Sequence, residues 1–152
     1  MKRLLLLTAL CLIGGSGFSQ TGTSNNDAIR KTIQTMFDGM RAGDSTLIRS
    51  VLAPGMVLQT IVSRGGRDEV RTERIENFLK AVATPHEKVW DEQISFDAIH
   101  VDGPLASVWT SYKFYLGKDF SHCGVNSFQL VRLQGEWKIN YLVDTRRKDN
   151  CD

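Results

Sequence analysis

Apolar residues in the first third of the chain recur at helical spacing. Ile29, Ile33, Met36, Phe37 and Met40 fall on one face, with Arg30, Lys31, Gln34 and Arg41 elsewhere. The pattern predicts an amphipathic helix, capped by Asn25, Asn26 or Asp27 and ended by Gly43. A second, shorter helix is expected after a cap at Asp44 or Ser45, with Leu47, Ile48, Val51 and Leu52 apolar and Pro54-Gly55 as its stop. A strand over 56–63, a turn at Arg64-Gly65-Gly66-Arg67 and a short strand over 68–71 follow. Thr72 is the expected cap of a third helix carrying Ile75, Phe78, Leu79 and Val82, and Thr84-Pro85 ends it.

Beyond Pro85 the pattern is strands only. A long strand is expected over 89–101, a turn at Asp102-Gly103-Pro104, a strand over 105–116, and a turn at Gly117-Lys118-Asp119. The last two strands, 125–133 and 137–145, are rich in β-branched and aromatic residues and make a hairpin about Gln134-Gly135-Glu136. A three-residue link would set Leu133 opposite Trp137 and Val131 opposite Ile139, and Asn126 opposite Asp144. One face then carries Trp137, Ile139, Tyr141 and Val143 with Val125, Val131 and Leu133. The other carries Asn126, Phe128, Leu130, Leu142 and Asp144, and a one-residue slip re-pairs both sets. Helices first and a meander after is an α+β order: one curved antiparallel sheet with three helices on its concave side.

The first residues change the reading of charge. Lys2 and Arg3 precede the apolar run from Leu4 to Ile13, and Gly17-Phe18-Ser19 supplies small residues for cleavage after Ser19. Residues 1–19 read as a signal peptide, because the run falls short of the roughly 20 residues a membrane span needs. An exported protein, periplasmic or secreted, is therefore expected. Residues 20–26 read as a disordered leader, 27–147 as one folded domain and 148–152 as a tail. The full chain has 19 basic and 17 acidic residues, and the two basic residues of the signal are the whole excess. The mature chain has no charge bias toward nucleic acid or an anionic membrane. Cys11 leaves with the signal, so Cys123 and Cys151 remain as an even pair in an exported protein. A disulfide closing that loop would contribute about 3–4 kcal/mol.

The element order, with Gly135, Trp137 and Ile139 opening the last strand, resembles the nuclear transport factor 2-like superfamily over 27–147. The stretches SHCGV, WKI and DTRR are similar to secreted bacterial proteins of a lumazine-binding-like group. The resemblance implies a cone-shaped fold shared with ketosteroid isomerase and scytalone dehydratase, with a pocket between helices and sheet. Its members include enzymes, small-ligand binders and protein-docking modules, so the fold does not select a function.

Candidate pocket residues are Trp90, Trp109, Tyr112, His122, Asn126, Tyr141 and Asp144. A carboxylate at Asp144 accepting from His122 would fix the imidazole tautomer and make it an acid–base group, with Tyr112 as hydrogen-bond donor. The competing readings are a structural His–Asp pair and a surface ion-pair corner at Asp144-Thr145-Arg146-Arg147. Ketosteroid isomerase-like sites combine a Tyr with two carboxylic acids, and Tyr112 and Asp144 leave the third part unassigned. The aromatics Trp90, Trp109, Tyr112 and Tyr141 would stack on a flat ligand, or fill the core and the contact of a homodimer through the outer sheet face. His122 and Cys123 are adjacent on a strand and point to opposite faces, so no metal site is expected. The chain has no H-E-x-x-H, phosphate-binding Gly loop or G-x-S-x-G, and no cofactor is expected. Arg71 and Arg74 read as solvated. The first expectation is an exported protein that binds a small, apolar or aromatic molecule. The alternatives are an isomerase or dehydratase using His122 and Asp144, and an interaction module with a closed cone.

Overall fold

The computed structural model describes residues 24–151. The expected signal peptide and residues 20–23 of the expected leader lie outside them. Within them, α1 (Asn25–Ala42) and α2 (Ser45–Ser50) precede β1 (Leu52–Arg64) and β2 (Arg67–Glu73). Then follow α3 (Ile75–Ala83), β3 (Trp90–Asp102), β4 (Leu105–Leu116), β5 (Asp119–Leu133) and β6 (Glu136–Thr145). The α+β order is as expected, and six strands form one curved sheet in the order β2-β1-β6-β5-β4-β3. Neighbours are antiparallel except at β1–β6, where the chain returns parallel.

Helix α1 begins two residues earlier than the leader boundary implied. Ser24 is its cap, accepting from the Asp27 amide, so Asn25 and Asn26 are helical. Gly43 ends it at φ 69°, where a side chain would be strained. Asp44 accepts from the Leu47 amide at 2.9 Å and starts α2. Pro54-Gly55 does not stop α2. It lies inside β1, where Gly55 takes φ 73° and the pairing with β6 shifts between Leu52 and Val57. Strand β1 thus starts on β6 before its bulge and resumes after it. Thr72 belongs to β2 and is not a helix cap, and α3 starts from Arg74 without a side-chain cap.

The hairpin turn is tighter than expected. Gln134 (φ 52°) and Gly135 (φ 87°) alone make it, and Glu136 is already opposite Leu133. Two consecutive left-handed residues match the twist of the flanking strands. Trp137 and Ile139 therefore join the face of Phe128 and Leu130, correcting the expected sets. A bulge at Asn140, between the pairs Leu130–Ile139 and Gln129–Tyr141, then restores Asn126 opposite Asp144.

The core lies between this inner sheet face and the helices. Ile29, Ile33, Met36 and Phe37 of α1 pack with Val108, Phe128, Leu130, Trp137 and Ile139. The Phe37 and Phe128 rings meet edge to face at 6.2 Å. The sulfurs of Cys123 and Cys151 meet as a disulfide with their Cα atoms 5.7 Å apart. Cys123 and Arg147 also exchange two backbone hydrogen bonds of 2.9 Å. Together these hold the tail along the start of β5.

Candidate functional site

The strand registers place side chains in rows across the inner face. One row runs Leu58, Leu142, Phe128, Val108 and Ile99, through β1, β6, β5, β4 and β3. It is apolar and belongs to the core. Two residues along β1, β6, β5 and β4, the next row runs Thr60, Asp144, Asn126 and Thr110, flanked by Arg71 of β2 and, past a bulge, Phe96 of β3. Thr110, Asn126 and Asp144 of that row are buried. A polar row on an inner face needs internal partners, and it finds them.

Asp144 is the hub. Thr60 donates to its Oδ1, and Arg146 Nε donates to Oδ2 at 2.9 Å. The Tyr112 hydroxyl lies 3.1 Å from Oδ2 and 2.8 Å from the Thr145 carbonyl, sharing its one proton between them. Tyr112 can reach there because it packs over Gly124. A Cβ on Gly124 would stand 1.8 Å from the Thr145 carbonyl oxygen and 2.7 Å from Tyr112 Cε1. Burial raises the Asp144 carboxyl above its ordinary value, against the opposing pull of Arg146 and Tyr112. Burial and the Asp144 charge push the Tyr112 phenol up as well, so it stays a donor.

Glu92, like Thr60, is a cleft residue that sequence reasoning missed. It projects from β3 beside the polar row, and Asn126 Nδ2 donates to its Oε1 at 2.8 Å. Burial raises its carboxyl to about 7; the Asn126 hydrogen bond works against that rise and the nearby Asp144 charge adds to it. At neutral pH it is poised between acid and carboxylate. Its position carried a signal in the sequence: it alternates with Trp90, Ile94 and Phe96, so a charge stands at an inward parity.

Above these groups the cone is open. A cavity of ≈ 680 Å³ is walled by Trp90, Phe114, Leu116, Phe78, His122 and Glu92, with Asp144 and Arg146 at its polar end. A second lobe of ≈ 300 Å³ shares Met40, Phe78, Glu92, Asp144 and Arg146 and reaches Thr60, Arg71 and Asn126. Trp90 is held by His86 stacked at 4.1 Å. Arg71 of β2 is exposed, as its solvated reading expects, and borders this second lobe.

Of the expected pocket residues, Trp90, His122, Asn126 and Asp144 line this cleft, and Tyr112 lies behind it as a support for Asp144. Trp109 does not: it faces outward, half exposed, opposite Ser127. Nor does Tyr141, whose hydroxyl donates to Gln59 at 2.6 Å on the outer face. The bulge at Asn140 sets Tyr141 outward. His122 and Asp144 both face the cavity, yet no hydrogen bond joins them among the described residues. His122 Nδ1 lies 3.0 Å from Ser121 Oγ, and its ring packs on Phe114. Burial, Arg146 and Lys148 lower its pKa, which leaves a neutral imidazole at neutral pH.

A family model described as "Putative lumazine-binding" matches residues 24–141. Among solved structures, an NTF2-like protein of unknown function from Shewanella baltica OS155 superposes with a TM-score of 0.66 at 14% identity. The match covers 84% of this chain and 99% of that one. A second NTF2-like protein, from Shewanella oneidensis MR-1, gives 0.63 at 16% identity, covering 80% and 99%. A domain with a cystatin-like fold from Nostoc punctiforme gives 0.63 at 18% identity, covering 84% and 82%. At these identities the likeness is one of fold. No curated protein matches the chain. With the family model spanning most of its length and the cone fold in place, this chain belongs to the lumazine-binding-like family of the nuclear transport factor 2-like superfamily.

Proposed function

We propose that this is an exported protein that binds a small molecule in the cone, with an apolar or aromatic body and one polar group. The observation that carries the reading is the polar row left uncovered. Asp144, Asn126 and Glu92 stand at the floor of an open cavity whose walls are Trp90, Phe114, Leu116 and Phe78. Concave, mostly apolar walls with a few convergent polar groups are what small-ligand sites are made of. The family description points the same way. The Cys123–Cys151 pair fits an oxidising compartment and the expected export. The outer sheet face, with Trp109 half exposed, is the surface through which two copies would pair.

Catalysis by a His122–Asp144 pair is the weaker reading, because Asp144 is already engaged by Thr60, Tyr112 and Arg146. A closed interaction module does not fit an open cone. Native mass spectrometry of the mature protein from its own cell envelope tests the proposal. The expected spectrum shows a defined adduct of small-molecule mass, and a dimer. A protein that stays empty under conditions preserving weak complexes contradicts the ligand-binding reading, and a monomer mass contradicts the pairing.

A further inference from the structure

Two groups of the cleft, Arg146 and Glu92, keep hydrogen-bonding capacity toward it. Arg146 is fixed by one bond, from Nε to Asp144, and its two terminal nitrogens make no hydrogen bond among the described residues. Its side chain is 53% exposed and borders both lobes, so those nitrogens are free for a ligand. Arg147 and Lys148 stand beside it with His122 around a third small cavity, making the rim basic. On the acceptor side, both oxygens of Asp144 are taken. Glu92 keeps one oxygen without a partner among the described residues, and no fully buried side-chain oxygen there lacks one. That second oxygen therefore reaches the open cavity. A planar guanidinium fork with free ends is suited to a carboxylate. The apolar walls would take a ring.

We infer that the ligand is a small apolar monocarboxylic acid, its carboxylate on the terminal nitrogens of Arg146 and its body against Trp90 and Phe114, bound together with a proton held by Glu92. The inference rests on the proposed reading of the cone as a ligand site and names the class of occupant. The proton follows from charge. Facing Glu92 are Asp144 and Arg146 at the end of β6, Tyr112 of β4, His122 of β5, and Arg71 and Glu73 of β2. The helices contribute Met36, Phe37, Met40, Asn77, Phe78 and Ala81, none of which titrates. Asp144 and Arg146 offset each other. Glu73 is exposed at the edge of both lobes. An anion on Arg146 then meets Glu92 within the wall the lobes share, and an ionised Glu92 repels it where a protonated one donates to it. Carboxylate affinity must fall as pH rises through the titration of Glu92. An amine ligand would show the opposite slope.

The test compares 2-naphthoate with its neutral isostere 2-naphthamide by titration calorimetry on the disulfide-bonded mature protein. Naphthoate is expected to bind roughly tenfold or more weakly at pH 8.5 than at pH 6, with naphthamide flat. Glu92→Gln is expected to remove most of the naphthoate slope, which His122 titration alone would not account for. At pH 7.5, buffers of different ionisation enthalpy are expected to reveal proton uptake on naphthoate binding, lost in Glu92→Gln. Arg146→Gln is expected to weaken naphthoate about tenfold and leave naphthamide nearly unchanged. If that variant does not fold, Arg146→Lys, which keeps the charge and loses the fork, serves instead. Naphthamide binding without naphthoate, or naphthoate affinity that rises with pH, overturns the acid inference and leaves the cone a ligand site. Binding of neither overturns both.

Discussion

On β1, β6, β5 and β4 the apolar row of Leu58, Leu142, Phe128 and Val108 and the polar row of Thr60, Asp144, Asn126 and Thr110 lie two residues apart. They differ in what covers them. Helix α1 closes over the first, with Phe37 set edge-on against Phe128. The second opens into the cleft, and its buried polar atoms are satisfied by one another and by Tyr112, Arg146 and Glu92. One row is a core and the other a prearranged surface for something else. A change of side-chain type at a single step along several neighbouring strands marks the border between stability and function in this fold.

The contrast is sharpest in the apolar row. Truncating Phe128, fully buried, is expected to cost about 3–5 kcal/mol, read as a lowered urea midpoint with unchanged slope. Gly124 lies between the regions and allows Tyr112 to approach Asp144. Gly124→Ala is expected to cost about 3 kcal/mol, since the added methyl meets backbone and ring that must shift. Equal stability of Gly124→Ala and the parent would show that Tyr112 does not depend on that close approach.

The polar row is expected to cost stability where the apolar row supplies it. The folded-state carboxyl of Glu92 lies at about 7, above its ordinary value of 4.5. Between those values the folded protein binds more protons than the unfolded chain. Stability from this group is therefore fully present below pH 4.5 and is lost as pH rises to about 7. Glu92→Gln is expected to flatten that part of the profile and to exceed the parent at pH 8 by about 1–3 kcal/mol. Chemical denaturation at several pH values checks it, and parallel profiles for the two proteins contradict it. The smallest effect is expected on the outer face. Tyr141→Phe removes the hydrogen bond to Gln59 and is expected to cost about 0.5–1.5 kcal/mol with no change in ligand binding.

Much of this was legible in the residues. Helical spacing in α1, the turn residues between strands and the Gly-x-Trp-x-Ile run gave the element order and the superfamily. Asp144 and Asn126 were assigned to one rung correctly. The expected three-residue link was wrong by one residue at the turn, and the bulge at Asn140 absorbed the error before it reached them. Trp109 and Tyr141 were misplaced against a readable parity: each stands three residues from Tyr112 or Asp144 on the same unbroken stretch of strand and so faces the other way. Glu92 was readable and overlooked: W-D-E-Q-I-S-F puts a carboxylate in line with three large apolar residues. Arg71 and Thr60 had no such mark, since their place beside Asp144 depends on the parallel return of β1 onto β6.

The most direct test of the polar row is a carbon-13 NMR titration of the side-chain carboxyls, with Glu92 assigned by its loss in Glu92→Gln. A Glu92 midpoint near 7 is expected, moved upward when 2-naphthoate is bound. A midpoint at the ordinary glutamate value, unmoved by ligand, would contradict both the desolvation of Glu92 and its proton-linked binding of an acid.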